Sequence, residues 1–275
     1  LLHLISHFIS VRESLGLSTF YIAMGVGFGG IVWWWMGAQA GTEYLTGFVV
    51  EKSLAMDNIF VIAMIFSYFA IPAAYQHRVL VYGILGVLIL RGLMIAAGSA
   101  IVTEFSWVLY LFAAFLVLTG IKMLFSADKT HDVASSPVVR FLNRHVNMTK
   151  ELHGEKFFVR QPDGTGRLRL FVTPLFGALV LVELADLLFA VDSIPAIFAI
   201  TTDPYIVLTS NVFAILGLRA LYFALAAMVD RFVYLKFALA AVLIFIGSKI
   251  FVADMLGLTK IPPMVSLAVT LAILA

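Results

Sequence analysis

Apolar runs close to the ~20 residues that cross a bilayer as a helix alternate with short polar connections along the whole chain. The pattern predicts spans near 18–37, 44–69, 79–102, 107–126, 171–200, 206–228, 237–256 and 262–275, the last short and expected to continue beyond Ala275. One polar stretch is longer, from Asp128 to Leu170. Within it Phe157-Phe158-Val159-Arg160 and Leu168-Arg169-Leu170-Phe171 flank Pro162-Asp163-Gly164, the pattern of a small β-hairpin. Spans 44–69 and 171–200 break the apolar rule. The first carries Glu51 and Asp57, the second Glu183, Asp186 and Asp192. A charged side chain at the centre of a membrane helix costs about 2.5–3.5 kcal/mol on insertion scales. Five carboxylates in such places imply use, and an ion pathway is the first hypothesis.

Composition fixes the class. The chain is 62% hydrophobic and 12% charged, with mean hydropathy +1.04, against about 25% charged for a soluble domain. It reads as an all-α polytopic membrane protein. There is no cysteine, which removes disulfides and thiolate ligands. No phosphate loop, serine–histidine set or zinc-protease motif occurs, so the chain reads as neither an ATP-driven pump nor an enzyme. Gly25, Gly27, Gly29 and Gly30 lie in an apolar span and predict a close helix contact.

The basic residues set the orientation. Arg12, Arg78, Lys129, Arg140, Arg144, Lys150, Lys156, Arg160, Arg167, Arg169, Arg231 and Lys236 fall on one set of connections, while the other holds only Lys260. The positive-inside rule makes the first side cytoplasmic, including loop 128–170. That loop reads as a solvated connector, with a regulatory or partner surface as the alternative. Trp33, Trp34, Trp35, Tyr44, Trp107 and Tyr205 then fall at the outer boundary, where amphipathic rings settle. A basic loop beside a membrane, mixed with acids, excludes nucleic acid as a partner. The lipid bilayer and an ion are the partners expected, and the oligomeric state stays open.

The polar features recur. Glu51 and Asp57 match Asp186 and Asp192 at an offset of 135. Leu88 to Leu93 resembles Leu216 to Leu221, pairing Arg91 with Arg219 at 128, and Lys122 matches Lys249 at 127. Three anchors in order predict a three-helix unit used twice. Span 44–69 runs outside to inside and span 171–200 the reverse, so the units are inverted, the architecture of many secondary transporters. The organisation expected is 1–42, an N-terminal segment with the first visible helix; 43–127, repeat 1; 128–170, the loop; 171–256, repeat 2; and 257–275, the start of a last helix. Leu1 and the apolar end both suit a chain that continues.

Six residues turn a helix by about 240° net, so Glu51 and Asp57 converge only if their helix is interrupted. Pro195, three residues after Asp192, removes a backbone donor and marks such a break. Asn58 and Ser193 follow the acids and supply more oxygens. Arg91, Arg219 and Lys52 are expected to brace the acids, while Lys122 and Lys249 lie near span ends. The six histidines (His3, His7, His77, His131, His145 and His153) all fall in cytoplasmic segments, which leaves an oxygen-only core. Such a donor set suits Mn²⁺, Ca²⁺ or Mg²⁺. Met56 beside Asp57 is expected to pack rather than ligate, and protons are the natural counter-ion.

Four stretches carry a family resemblance: Glu51 to Asn58, Gln76 to Leu80, Phe189 to Ala199, and Thr209 to Tyr222. The chain resembles the TerC/Alx family of bacterial integral membrane proteins over nearly its whole length. The resemblance implies a bacterial inner-membrane protein linked to manganese export and to tellurium-resistance operons. It implies Glu51, Asp57, Asn58, Glu183, Asp186 and Asp192 as metal-site residues. The reading is a secondary transporter exporting a divalent cation, Mn²⁺ first and Ca²⁺ next, proton-coupled and without a permanently bound cofactor. Two alternatives stand beside it: a membrane scaffold or maturation factor without transport, and a protein acting on the tellurite oxyanion.

Overall fold

The structure, a computed structural model, describes residues 11–125, 147–149, 151–162, 167–225, 235–257 and 261–274. Several expectations therefore fall outside the described residues: the segment 1–10 with His3 and His7, His131 and His145, and the basic positions Lys129, Arg140, Arg144, Lys150, Arg231 and Lys260. The side chains of Asp57 and Lys236 fall outside them as well.

The described chain is a helical bundle. Its elements are α1 (Val11–Met36), α2 (Ala38–Tyr68), α3 (Ala73–Glu104), α4 (Val108–Phe125), strands β1 (Phe158–Pro162) and β2 (Leu168–Val172), then α5 (Pro174–Phe198), α6 (Pro204–Leu216), α7 (Leu218–Leu225), α8 (Leu235–Met255) and α9 (Pro263–Leu274). Among the described residues α1, α3, α4, α5 and α8 are long and apolar enough to cross a membrane, and α6 with α7 adds a sixth candidate bent by 42°. α2 stands outside that set because of Glu43, Glu51, Lys52 and Asp57. It keeps its place by burial instead, packed against α1, α5, α6, α8 and α9. Its hydroxyls add no further burden, since Thr42, Thr46 and Ser53 each donate to the carbonyl four residues back.

Local chemistry accounts for the helix ends. Asp203 caps α6, accepting from the Tyr205 and Ile206 backbone N–H at 2.9 and 3.4 Å ahead of Pro204 at the first helical position. α1 meets α2 through Gly25 and Gly29, where an added Cβ would overlap Phe48 and Leu45, while Gly27 and Gly30 face open space. The glycine run is thus a helix contact of the small-residue kind.

Two helix pairs are antiparallel. Val50 of α2 shares a core cluster with Ala196 of α5, and Ile65 and Phe66 share one with Leu175 and Ala178. In α4 and α8, a Cβ on Gly120 would lie 2.8 Å from the Ala240 carbonyl oxygen. One on Gly247 would lie 2.6 Å from that of Ala113. At the offset of 127, Gly120 matches Gly247 and Ala113 matches Ala240, so the contact is reciprocal.

The predicted hairpin is present: β1 pairs antiparallel with β2, Arg160 opposite Leu170. It is pinned to the ends of α3 and α5. Arg78 pairs with Glu155 at 3.0 Å and lies over the Tyr82 and Phe157 rings, and the Thr173 hydroxyl donates to the Lys156 carbonyl at 2.7 Å. At the opposite end Trp35 and Tyr205, both assigned to one boundary by sequence, meet edge to face at 6.5 Å.

One expectation is corrected. Neither acidic helix is interrupted: α2 is continuous over 38–68 and α5 runs through Pro195 to Phe198. Pro195 stands in the last turn of α5; it takes the i→i−4 donor from the Val191 carbonyl, yet the helix continues through it to Phe198. The break lies instead at Gly217, between α6 and α7.

Candidate functional site

The acids meet near the middle of the bundle, around Arg91 of α3. Its guanidinium is only 3% exposed. Nε and Nη2 donate to Asp186 Oδ2 and Oδ1 at 3.0 and 2.9 Å, a bidentate pair. Nη1 donates to Ser193 Oγ at 3.2 Å and to Asn211 Oδ1 at 3.0 Å, and forms an ion pair with Glu51. The Asn58 amide completes the set, donating to Asp186 Oδ1 at 3.3 Å. Glu51 and Asp186 occupy matched positions in the two acidic helices, so one arginine bridges equivalent carboxylates.

A cavity of about 50 Å³ adjoins this cluster, lined by Leu54, Asn58, Arg91, Met123, Phe189, Asp192, Ser193 and Leu243. Asp192 lines it, and Thr119 and Lys122 of α4 act on its carboxylate. On the other side of Asn58 and Asp186 lies a smaller, almost wholly apolar cavity of about 20 Å³. The largest cavity described, about 160 Å³, is elsewhere. It opens near the Trp35 end of the bundle, beside Tyr110, Lys249, Asp254 and Ser266.

The five sequence-assigned ligands whose side chains are described are therefore not one cage. Glu51, Asn58 and Asp186 gather at Arg91, and Asp192 lines the adjoining cavity. Glu183 sits apart, against the face of α3 bared by Gly86, where a Cβ would overlap its carboxylate. Glu183 still feels the charge of Asp186, one turn away on α5. Among the described residues no three acids or histidines are close enough to hold one metal ion.

The expected braces divide. Arg91 pairs with acids from both helices. Arg219 is half-buried on α7. Lys52 departs from the expectation: its ammonium donates to the Ala214 carbonyl at 2.9 Å rather than to a carboxylate. The break at Gly217 explains this. It frees carbonyls in the last turn of α6, and a cation there satisfies one of them and complements the negative end of the helix. Met56 packs against the apolar core, as expected.

Three contributors were not assigned from sequence: Asn211, Thr119 and Met123, whereas Ser193, expected to supply an oxygen, does so to Arg91. Asn211 alone left a signal, being an amide inside an apolar span eight residues before Arg219. The others are ordinary membrane-helix residues until the fold brings them to the acids.

A helical bundle with several apolar spans and charged groups paired in its interior defines an integral membrane protein. The chain belongs to the integral membrane protein TerC family, whose model matches residues 36–275. It is 48% identical to an uncharacterized membrane protein of Rickettsia bellii, over 99% of this chain and 88% of that one. It is 46% identical to a putative membrane-bound redox modulator, Alx, of Salmonella typhi, and 47% identical to the protein of that name in Escherichia coli, over 98% of this chain and 84% of each relative. No solved structure matches the chain.

Proposed function

We propose that the chain is a secondary transporter that exports a divalent metal cation, Mn²⁺ first, through the carboxylates between α2 and α5, in exchange for protons. The observation that carries this reading is the meeting of Glu51 and Asp186 across Arg91, beside a cavity that also reaches Asp192, Asn58 and Ser193. Two of the helix contacts support the inverted repeat behind it. α2 lies antiparallel to α5, and α4 contacts α8 reciprocally through Gly120 and Gly247. A two-fold axis in the membrane plane produces both relations, and inverted units with a central site are the usual frame for alternating access.

The cavity ranks the ions. One water needs about 10–15 Å³ of such space, so about 50 Å³ holds an ion with two or three waters, not a full six-water shell. The cation must arrive largely dehydrated. Mg²⁺ gives up water reluctantly and insists on regular octahedral geometry. Mn²⁺, with the same taste for oxygen ligands, fits better. An oxyanion such as tellurite meets two carboxylates at the cluster and a third across the cavity, which disfavours it. The name redox modulator belongs to relatives; thiol–disulfide chemistry is closed to these cysteine-free residues.

The test is Mn²⁺ flux into proteoliposomes holding the full-length protein, with and without a pH gradient, beside Asp57→Asn and Asp192→Asn. Wild-type flux lost in both folded variants is the expected result. Absence of flux from folded wild type under either condition removes the transport reading.

A further inference from the structure

Arg91 lies where an ion belongs. Its guanidinium is ringed by oxygens from three helices: Glu51 Oε1 of α2, both Asp186 oxygens and Ser193 Oγ of α5, and Asn211 Oδ1 of α6. Nη1 has two hydrogens but faces three of these oxygens. Glu51 Oε2 is also buried and has no hydrogen-bond partner among the described residues. Carboxylate, amide and hydroxyl oxygens with no nitrogen or sulfur donor among them are the ligand set of a hard divalent cation, which takes about six or more. Charge points the same way. Two carboxylates face one guanidinium, and a divalent ion in place of Arg91 would offer one positive charge to each. Arg91 also lines the adjoining cavity, alongside Asn58, Asp192 and Ser193. The cavity thus lets an ion approach the ring and lets the side chain leave it.

Resting on the cation-transport reading above, we infer that Arg91 is a tethered competitor for the transported ion. The guanidinium fills the oxygen ring when the protein is empty, and the metal takes the ring only by displacing it. The buried acids are never bare, because Arg91 returns as the ion departs. Selectivity follows too. A monovalent ion offers the ring no more charge than Arg91 already does, so it gains nothing by displacing the side chain. A divalent ion does gain.

The experiment is Mn²⁺ binding, by electron paramagnetic resonance titration, to the full-length protein in lipid nanodiscs, for wild type, Arg91→Gln and Arg91→Lys. With the competitor removed, Arg91→Gln binds Mn²⁺ tighter by about tenfold or more, which corresponds to about 1.4 kcal/mol, while its flux in proteoliposomes falls. Arg91→Lys keeps the charge but cannot fork between carboxylates, and its affinity falls between the two. A simple brace predicts the opposite, since losing it loosens the site and weakens binding. Folded variants that bind no tighter than wild type overturn the inference and leave the transport reading standing. Loss of folding in both variants makes Arg91 a structural brace and overturns it as well. Should wild type itself not bind Mn²⁺, the transport reading falls first and this inference with it.

Discussion

α2 and α5 carry acids at matched positions, yet the two helices treat them differently. α2 carries a cation among its acids: Lys52 shares the helix with Glu43, Glu51 and Asp57, and the position matching Glu183 is Phe48, packed against Gly25. α5 has Glu183, Asp186 and Asp192 and no cation. Its partners come from other helices. Asp186 is held by Asn58 of α2 and Arg91 of α3, and Asp192 by Thr119 with Lys122 of α4. The acids of α5 are thus held by groups on α2, α3 and α4. The polar site exists only where these helices meet, which ties its charge balance to their relative position.

That asymmetry is open to attack. The largest effect is expected at Asp186. Asp186→Asn strips Arg91 of its bidentate partner and leaves a buried charge poorly compensated, at a cost on the order of 3–5 kcal/mol. Glu51→Gln, at the equivalent position, removes a single contact and costs less. Thermal unfolding in one detergent ranks the pair, and equal losses would erase the distinction between the helices.

The reciprocal contact comes next. Gly120→Leu and Gly247→Leu each drive a side chain into the carbonyl of the partner helix, and overpacking of this kind costs about 1–3 kcal/mol. The same unfolding measurement should give similar losses for the two. A large inequality would argue against a two-fold relation between α4 and α8.

Gly86→Ala acts more finely. It displaces the Glu183 carboxylate, the far end of a flexible chain, so the fold survives. If Glu183 serves the pathway, Mn²⁺ flux drops while Ala214→Gly, at the position that matches Gly86 at the offset of 128, leaves flux near wild type. The smallest effect is at the hairpin. Arg78→Ala removes a partly exposed pair with Glu155, and exposed pairs contribute about 0.2–1 kcal/mol. Unfolding that shifts by more would mean that the hairpin anchors the bundle more strongly than its visible contacts imply.

Much of this architecture was legible in the order of residues. Apolar length located α4, α5 and α8 to within three residues and α3 to within six, and the Pro162-Asp163-Gly164 pattern with its flanking residues located the hairpin. Charge in an apolar setting singled out Glu51, Asp186 and Arg91, because hydrocarbon makes each of them costly. What escaped depends on position in space. Pro195 reads as a break anywhere along a helix, but it falls in the last turn of α5 and breaks nothing. Gly217 reads as one more small residue, yet the bend and the carbonyl taken by Lys52 both depend on it. Lys52, next to Glu51 in sequence, points toward α6 instead. Successive residues of a helix are about 100° apart, and neighbours in sequence seldom share a partner.

The most direct test of a site formed between α2 and α5 is to locate the ion. Crystals of the full-length protein grown with Mn²⁺ and measured for anomalous scattering give its position. The account predicts a peak between α2 and α5, within coordination distance of Asp186 or Asp192, with the Arg91 guanidinium moved out of its ring. A peak confined to the large cavity beside Asp254, with Arg91 still bound to Glu51 and Asp186, would contradict it.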